Sequence, residues 1–230
     1  MIKLSIITVV YNNVNSIADT IVNVLKFKEG NKNIENIIID GGSSDGTLDI
    51  IKAYQDKISY WISEPDKGIY DAMNKGANIA KGEYVIYINA GDQILDFNFN
   101  FLKSIKNKDV IYGNILLESN EVIVPYDLKI IGYAMPFCHQ AVIVKTQLMK
   151  EYRFNSNYKI AADFDLFQRL VKDKKEFHYE NITMALFEGG GVSSQMSKIY
   201  IKEYLSIIFK NKINYYWSYS FIKFILILMI

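Results

Sequence analysis

The sequence contains little cysteine, histidine and proline: one cysteine, two histidines and three prolines among 230 residues. The single cysteine, Cys138, excludes an internal disulfide, and without a cysteine cluster a structural zinc site has no ligands. Three prolines, at positions 65, 125 and 136, give no support for a proline-rich linker. Half of the residues are hydrophobic, so the chain is expected to fold around a core of its own.

The sequence also lacks an excess of charge of either sign, with 26 Lys and Arg against 25 Asp and Glu. A nucleic-acid-binding protein would carry a strongly basic face, so this class is excluded. The N-terminal segment does not have the layout of a signal peptide, because Asn12, Asn13 and Asn15 interrupt its apolar run. A cytoplasmic location is therefore expected.

The near-neutral total hides an uneven distribution of charge. Residues 196–230 contain five lysines and one glutamate, which leaves residues 1–195 net acidic. The same segment holds nine aromatic residues and ends on seven apolar ones, too few for a membrane span of about 20 residues. We predict a body over 1–195 and a helical tail over 196–230. The tail favours the inner face of the cell membrane; the alternative is a final helix packed on the body.

Apolar runs typical of buried strands alternate with amphipathic helical segments over the first 112 residues. Strands are predicted at 4–10, 34–39, 58–62 and 84–88, with helices after Ser16 and over 47–54 and 70–80. The pattern predicts an α/β fold with a mostly parallel sheet and helices on both faces. Beyond residue 109 we expect four short strands, a mixed segment over 177–187, and helices over 163–171 and 197–210.

Polar clusters follow three predicted strands, at residues 11–13, 40–46 and 89–92. Such sheets bind ligands at the carboxyl ends of their strands, so these clusters should meet around one ligand. The clusters contain neither the Gly-x-Gly-x-x-Gly fingerprint nor a complete P-loop, since the lysine of the latter is missing. A nucleotide diphosphate would then need a divalent cation held by a carboxylate, and Asp92 is placed for this.

Five blocks occur in order: SIITVVYN at 5–12, IIDGGSSDGT at 38–47, DKGIYDAMNKG at 66–76, GEY to NAGD within 82–92, and ADFDL at 162–166. Together they resemble family 2 glycosyltransferases with the GT-A fold, of the kind that builds bacterial polysaccharides. The resemblance implies an inverting enzyme that moves one sugar from a nucleotide-diphosphate sugar to a hydroxyl of a glycan or lipid-linked acceptor, with Mg²⁺ or Mn²⁺ as cofactor.

The resemblance also implies roles for individual residues. Asp163 matches the family's catalytic base, and Asp92 matches its metal ligand. The donor-binding positions correspond to Tyr11, Asp40, Lys67, Asn74 and Asp92, and His139 is a candidate acceptor contact. Three positions depart from the family pattern, because a carboxylate that is frequent there is replaced by Gly41, Ala90 and Ala162.

Each of these assignments has a structural alternative. Asp163 would suit the cap of a helix, Asp92 a turn, and His139 a buried histidine. The glycines at 189–191 form either a lid or an ordinary loop. Two other classes of protein also remain open: a non-catalytic binding or scaffold protein of the same fold, and a sugar-nucleotide pyrophosphorylase. The latter would need a basic, glycine-rich loop after the first strand, which is absent.

Overall fold

The fold is known from a computed structural model, which describes residues 3–95, 101, 108–187 and 198–213. The strands in this part of the chain are β1 (Leu4–Val10), β2 (Ile34–Asp40), β3 (Tyr60–Ser63), β4 (Tyr84–Tyr87), β5 (Gln93–Ile94), β6 (Val110–Leu117), β7 (Val122–Ile123), β8 (Val142–Lys145) and β9 (Phe177–Phe187). The helices are α1 (Ile17–Lys28), α2 (Thr47–Ala53), α3 (Ile69–Ile79), α4 (Thr146–Tyr152), α5 (Ala162–Lys172) and α6 (Lys198–Asn211).

These strands form one mixed sheet in the order β3-β2-β1-β4-β8-β6-β9-β5, with β7 paired to β6. The first four are mutually parallel, and β8 then runs antiparallel to both β4 and β6. Strands β1, β2 and β4 are buried along their whole length, as expected for parallel strands covered on both faces. The prediction of an α/β fold with a mostly parallel sheet is confirmed.

Helix α3 lies unusually close to the central strand β1. A Cβ atom on Gly76 would stand 2.5 Å from Cγ2 of Ile7, so a larger residue at this position would push the helix away from the sheet. The close approach places the N-terminal end of α3, which carries Tyr70, beside the carboxyl end of β1. The polar clusters lie at this same edge of the sheet.

Some of the elements differ from those expected. The predicted strands at 110–112 and 115–117 are one strand, β6, whose register with β9 shifts around Asn114. The segment 177–187, expected to be mixed, is a single strand. Helix α4 was not anticipated, because its seven residues are too few to show a clear helical period.

The described part of the predicted tail packs on the body. Tyr204 and Ile207 of α6 are buried in the main core, and the Tyr204 ring stacks on Phe164 of α5 with centroids 4.3 Å apart. Residues 214–230, which carry the apolar end, lie outside the described residues, as do the glycines at 189–191. In the portion that is described, no helix is long and apolar enough to cross a membrane.

Candidate active site

A cavity of about 530 Å³ opens at the carboxyl ends of β1 and β4. Its wall includes Tyr11 and Asn13 after β1 and residues 89–92 after β4. Asn13 joins the two loops, since its side-chain amide donates a hydrogen bond to the carbonyl of Ala90 at 3.2 Å. The third cluster is tied to the first, because the Asn12 side chain accepts from Ser44 N at 2.9 Å. The three polar clusters therefore lie at one edge of the sheet, but only those at 11–13 and 89–92 line the cavity, and none of residues 40–46 does so.

Asp163 lies on the cavity wall in the first turn of α5. The N-cap residue of this helix is Ala161, so the alternative that Asp163 is the cap is wrong. Its Oδ1 accepts from the backbone N–H of Phe164 at 2.8 Å and lies 3.3 Å from the Tyr70 hydroxyl, which donates to the carbonyl of Ile160 at 2.6 Å.

His139 stands beside Asp163, with Nδ1 3.6 Å from the carboxylate Oδ2. Its other ring nitrogen, Nε2, is 3.4 Å from the side-chain amide nitrogen of Asn89. With a proton on Nδ1 and a lone pair on Nε2, the ring would face the carboxylate with an N–H and accept from the amide. The side chains of His139 and Asp163 are 20% and 17% exposed, so both are reachable from the cavity.

Asp92 is also on the wall, although only 6% of its surface is exposed. Its Oδ2 accepts from the Gln140 side-chain amide at 3.2 Å, and its backbone carbonyl accepts from Thr20 Oγ1 at 3.1 Å. Gln140 accepts in turn from the Cys138 thiol. Burial raises the pKa of that thiol to about 12, so Cys138 stays protonated and serves as a donor. The turn alternative for Asp92 agrees with the hydrogen bond from its backbone N–H to the Asn89 carbonyl at 2.9 Å, but it does not explain the bond between its carboxylate and Gln140.

A divalent cation would have only part of its ligands from the protein. Among the described residues, no three side chains of the types His, Cys, Asp and Glu converge into a metal site. Mg²⁺ is commonly bound through one or two carboxylates together with substrate phosphates and water. Asp92 fits that arrangement. The Oδ1 atom of Asn89, buried without a hydrogen-bond partner among the described residues, is a second oxygen of the right chemical type nearby.

Tyr11 is 64% exposed and lies on the wall, and its contact with a donor stays a prediction. Asp40 does not reach the cavity. Its carboxylate is fully buried and accepts hydrogen bonds from the backbone of Gly42 and Ser43 and from the hydroxyls of Ser43 and Ser63. The prediction that Asp40 contacts the nucleotide is therefore wrong. The Asp40 carboxylate instead holds the loop that follows β2.

Lys67 and Asn74 are also absent from the wall. Asn74 is buried and exchanges two hydrogen bonds with the backbone of Phe154, at 2.8 and 2.9 Å, which fixes α3 to the segment after α4. Lys67 is exposed on the loop before α3, and its backbone N–H donates to Asp71. The Asn74 side chain is therefore not placed to contact a ligand in the cavity, contrary to its prediction, whereas a donor contact for Lys67, which lies between the wall residues Asp66 and Gly68, stays a prediction.

Three wall residues were missed from the sequence: Asp66, Gln140 and Lys159. Gln140 directly follows His139, so its proximity to a candidate site residue was a usable signal. Asp66 opens the sequence block at 66–76, which was a usable signal, whereas Lys159 lies in a loop and no local pattern separates it from ordinary surface residues. Lys159 is the only lysine on the described wall and supplies a positive charge at its edge.

The parallel part of the sheet, β1 to β4, has an acidic cavity at the carboxyl ends of its strands. This is the place where α/β sheets bind their ligands. The model of the family "Glycosyl transferase family 2" matches residues 5–123, so the chain belongs to this family of enzymes. A curated relative, the PGL/p-HBAD biosynthesis glycosyltransferase of Mycobacterium bovis, is 27% identical over 173 residues, which cover 70% of this chain and 68% of the relative.

Two solved structures share the fold. The first, S. aureus TarS 1-349 in complex with UDP, has a TM-score of 0.72 and 17% identity, covering 95% of this chain and 68% of the other. The second is the mannosyltransferase PcManGT from Pyrobaculum calidifontis in complex with GDP-Man and Mn²⁺. It has a TM-score of 0.69 and 14% identity, covering 99% of this chain and 68% of the other. The GT-A fold implied by the sequence blocks is confirmed.

Proposed function

We propose that the protein is an inverting glycosyltransferase that moves one sugar from a nucleotide-diphosphate sugar to a hydroxyl of a glycan or lipid-linked saccharide. The observation that carries the proposal is the pairing of Asp163 with His139 on a cavity wall that also holds Asp92. The UDP and GDP-Man complexes of the two structural neighbours support the same class of donor.

Asp163 acts as the general base. One oxygen is held by the Phe164 N–H, while the other faces the open side near His139. The acceptor hydroxyl loses its proton to Asp163 as its oxygen forms a bond to the anomeric carbon. The bond from that carbon to the diphosphate breaks at the same time, and the electron pair leaves with the nucleoside diphosphate. A single carboxylate suffices because the nucleophile is the acceptor itself and no second carboxyl has to attack the sugar.

His139 holds this carboxylate in place and lines the acceptor side of the cavity. Its Nδ1 lies 3.6 Å from the Asp163 carboxylate, and the Asn89 amide nitrogen lies 3.4 Å from Nε2 on the other side of the ring. A sugar hydroxyl arriving at the cavity therefore meets a carboxylate whose position is set by Tyr70, Phe164 and His139.

The leaving diphosphate requires positive charge in an otherwise acidic cavity. Asp92, oriented by Gln140, would hold Mg²⁺ or Mn²⁺, which when bound neutralises the two phosphates. Lys159 lies on the same wall and adds a cation of the protein's own. Mn²⁺ is present in the PcManGT complex.

A position at the inner face of the cell membrane suits a lipid-linked acceptor. Two large apolar side chains of α6, Ile199 and Phe209, are 50% and 59% exposed. The lysines and aromatic residues that follow in the sequence favour the membrane interface.

The test of the proposal is replacement of Asp163 by Asn, with Asp56→Asn, an exposed aspartate in the turn before β3, as the matched control. Transfer from radiolabelled nucleotide sugars to a lipid extract should fall about 100-fold or more, the usual contribution of a general base. Nucleotide binding should stay within about twofold by calorimetry. Near-normal turnover of Asp163→Asn would show that the base assignment is wrong. A wild-type protein that binds donors but forms no product would instead support the non-catalytic alternative.

A further inference from the structure

The mouth of the cavity holds a compact arrangement of Tyr11, Gly41 and Asp66. A Cβ atom built on Gly41 would overlap Oδ2 of Asp66, with Cγ of that residue 3.1 Å away and Cδ2 of Tyr11 3.3 Å away. The Asp66 carboxylate therefore occupies the space that a side chain at position 41 would fill. Position 41 is one of the three where a carboxylate frequent in the family is absent.

The Asp66 carboxylate is held in a defined orientation. Its Oδ1 accepts from the backbone N–H of Gly68 at 2.8 Å, which leaves Oδ2 on the side of Gly41. The loop beneath it is fixed as well, because the buried Asp40 bonds to the backbone of Gly42 and Ser43. Both Asp66 and Tyr11 line the cavity.

Tyr11 gives this end of the cavity an aromatic surface. It is 64% exposed, whereas Tyr70, another aromatic residue on the described wall, is buried. Exposed aromatic rings beside polar groups are suited to stacking on a nucleobase, whichever base is present. The ring thus supplies affinity, and the neighbouring carboxylate is the group able to distinguish one base from another.

We propose that Asp66 selects the nucleobase of the donor. Its carboxylate lies in the space that the carboxylate missing at position 41 would occupy. This inference rests on the proposed function, since it assumes a nucleotide donor in the cavity. An ionised carboxylate only accepts hydrogen bonds. Uracil and guanine present a ring N–H on their pairing edge, whereas cytosine and adenine present a ring nitrogen with a lone pair, which the carboxylate repels. The site should therefore prefer UDP and GDP to CDP and ADP.

The test compares the binding of UDP, GDP, CDP and ADP, each with Mg²⁺, to the wild-type protein and to Asp66→Asn. The amide of this variant can retain the bond from Gly68 through its oxygen while presenting an N–H where Oδ2 stood, so the fold should be unaffected. We expect the wild type to prefer UDP or GDP at least tenfold, and Asp66→Asn to lose about 10- to 100-fold for that nucleotide. The control Asp56→Asn should match the wild type.

The possible results separate the two proposals. Failure of the wild type to bind any of the four diphosphates would overturn the proposed function. Binding of all four without preference, or a preference that Asp66→Asn leaves intact, would overturn the role of Asp66 alone.

A double exchange gives a second, independent readout. Gly41→Asp alone should weaken binding of the preferred nucleotide, because two carboxylates then compete for one position. Adding Asp66→Ala should restore the preference for bases with a ring N–H. Nucleotide binding by the double variant with no such preference would contradict the proposed exchange of positions.

Discussion

Glu203 of α6 acts as a remote cap for the helix that carries Asp163. Its carboxylate accepts from three consecutive backbone N–H groups, those of Lys159 at 2.8 Å, Ile160 at 3.0 Å and Ala161 at 3.1 Å. Ala161 is the N-cap residue of α5, and its methyl side chain cannot cap the helix itself. Replacing Glu203 by Ala would therefore release the segment that leads into Asp163.

The size of the effect follows from these three bonds. A hydrogen bond to a charged group contributes about 1.5–3 kcal/mol. Glu203 is half-buried, and its three bonds share one carboxylate, so water recovers part of the loss. We expect the free energy of unfolding to fall by about 2–4 kcal/mol in total. For a chain of this length that corresponds to a decrease in Tm of about 4–16 °C.

Glu203→Gln refines the prediction. The amide keeps one acceptor oxygen but turns an N–H toward backbone donors, so we expect about half the loss of stability. Both variants should also lower the kcat of transfer, because Asp163 follows directly on the released segment, while nucleotide affinity changes little.

The assay is thermal unfolding together with steady-state transfer, with Glu118→Ala in the exposed turn after β6 as the control. A Glu203→Ala protein with Tm within about 1 °C of the wild type and unchanged kcat would refute the reasoning. It would mean that α6 is docked without supporting the site. A lower Tm with an unchanged kcat would confirm the cap and contradict only the link to Asp163.

Two further predictions concern single carboxylates. In the wild type, chelation with EDTA should reduce the affinity for UDP or GDP measured by calorimetry. Asp92→Asn should already show the reduced affinity and should respond little to EDTA. Equal responses of the two proteins to EDTA would argue against a metal at Asp92. The hydrogen bond from the Thr47 hydroxyl lowers the pKa of Asp45 in the folded protein. Asp45 therefore stabilises the fold at pH values above its unfolded pKa of about 3.9. This stabilisation is lost as the pH falls through the lower pKa of the folded state. The Tm of the wild type should therefore exceed that of Asp45→Asn from pH 7 to pH 5 and converge with it in more acidic buffer, whereas a Tm difference independent of pH would contradict this.

The parts of the fold that could be predicted from sequence are those whose signal is local. The first strand was predicted at its observed bounds, Leu4–Val10, because a run in which six of seven residues are apolar or β-branched, ended by polar residues, is typical of a buried strand. Helix α3 was predicted to within one residue at each end. The placement of Asp92 at the cavity followed from the polar cluster after a predicted strand, whereas a site role for Asp163 was implied by the family resemblance alone.

The remaining features depend on contacts between residues far apart in the chain. Nothing around Asp40 shows that Ser63, 23 residues later, donates a hydrogen bond to its carboxylate and so helps to take it out of the site. Asn74 is bonded to Phe154 across 80 residues, and Glu203 reaches back across more than 40 to cap α5. A polar residue at the end of an element can serve a ligand or a distant backbone group, and only the fold distinguishes the two.

The same reasoning applies to the three replaced carboxylates, because such replacements left a non-catalytic protein open as an alternative when the sequence stood alone. The space at Gly41 is filled by the carboxylate of Asp66. Ala162, the first residue of α5, is completely buried in the core, where a glutamate would have to displace packed side chains or remain uncompensated. Beside it, His139 and Tyr70 now support Asp163. Ala90 bonds to Asn13 through its backbone, and the neighbouring Asp92 is oriented by Gln140. Because other residues hold or replace each acidic group, the substitutions at 41, 90 and 162 are weak evidence for loss of activity.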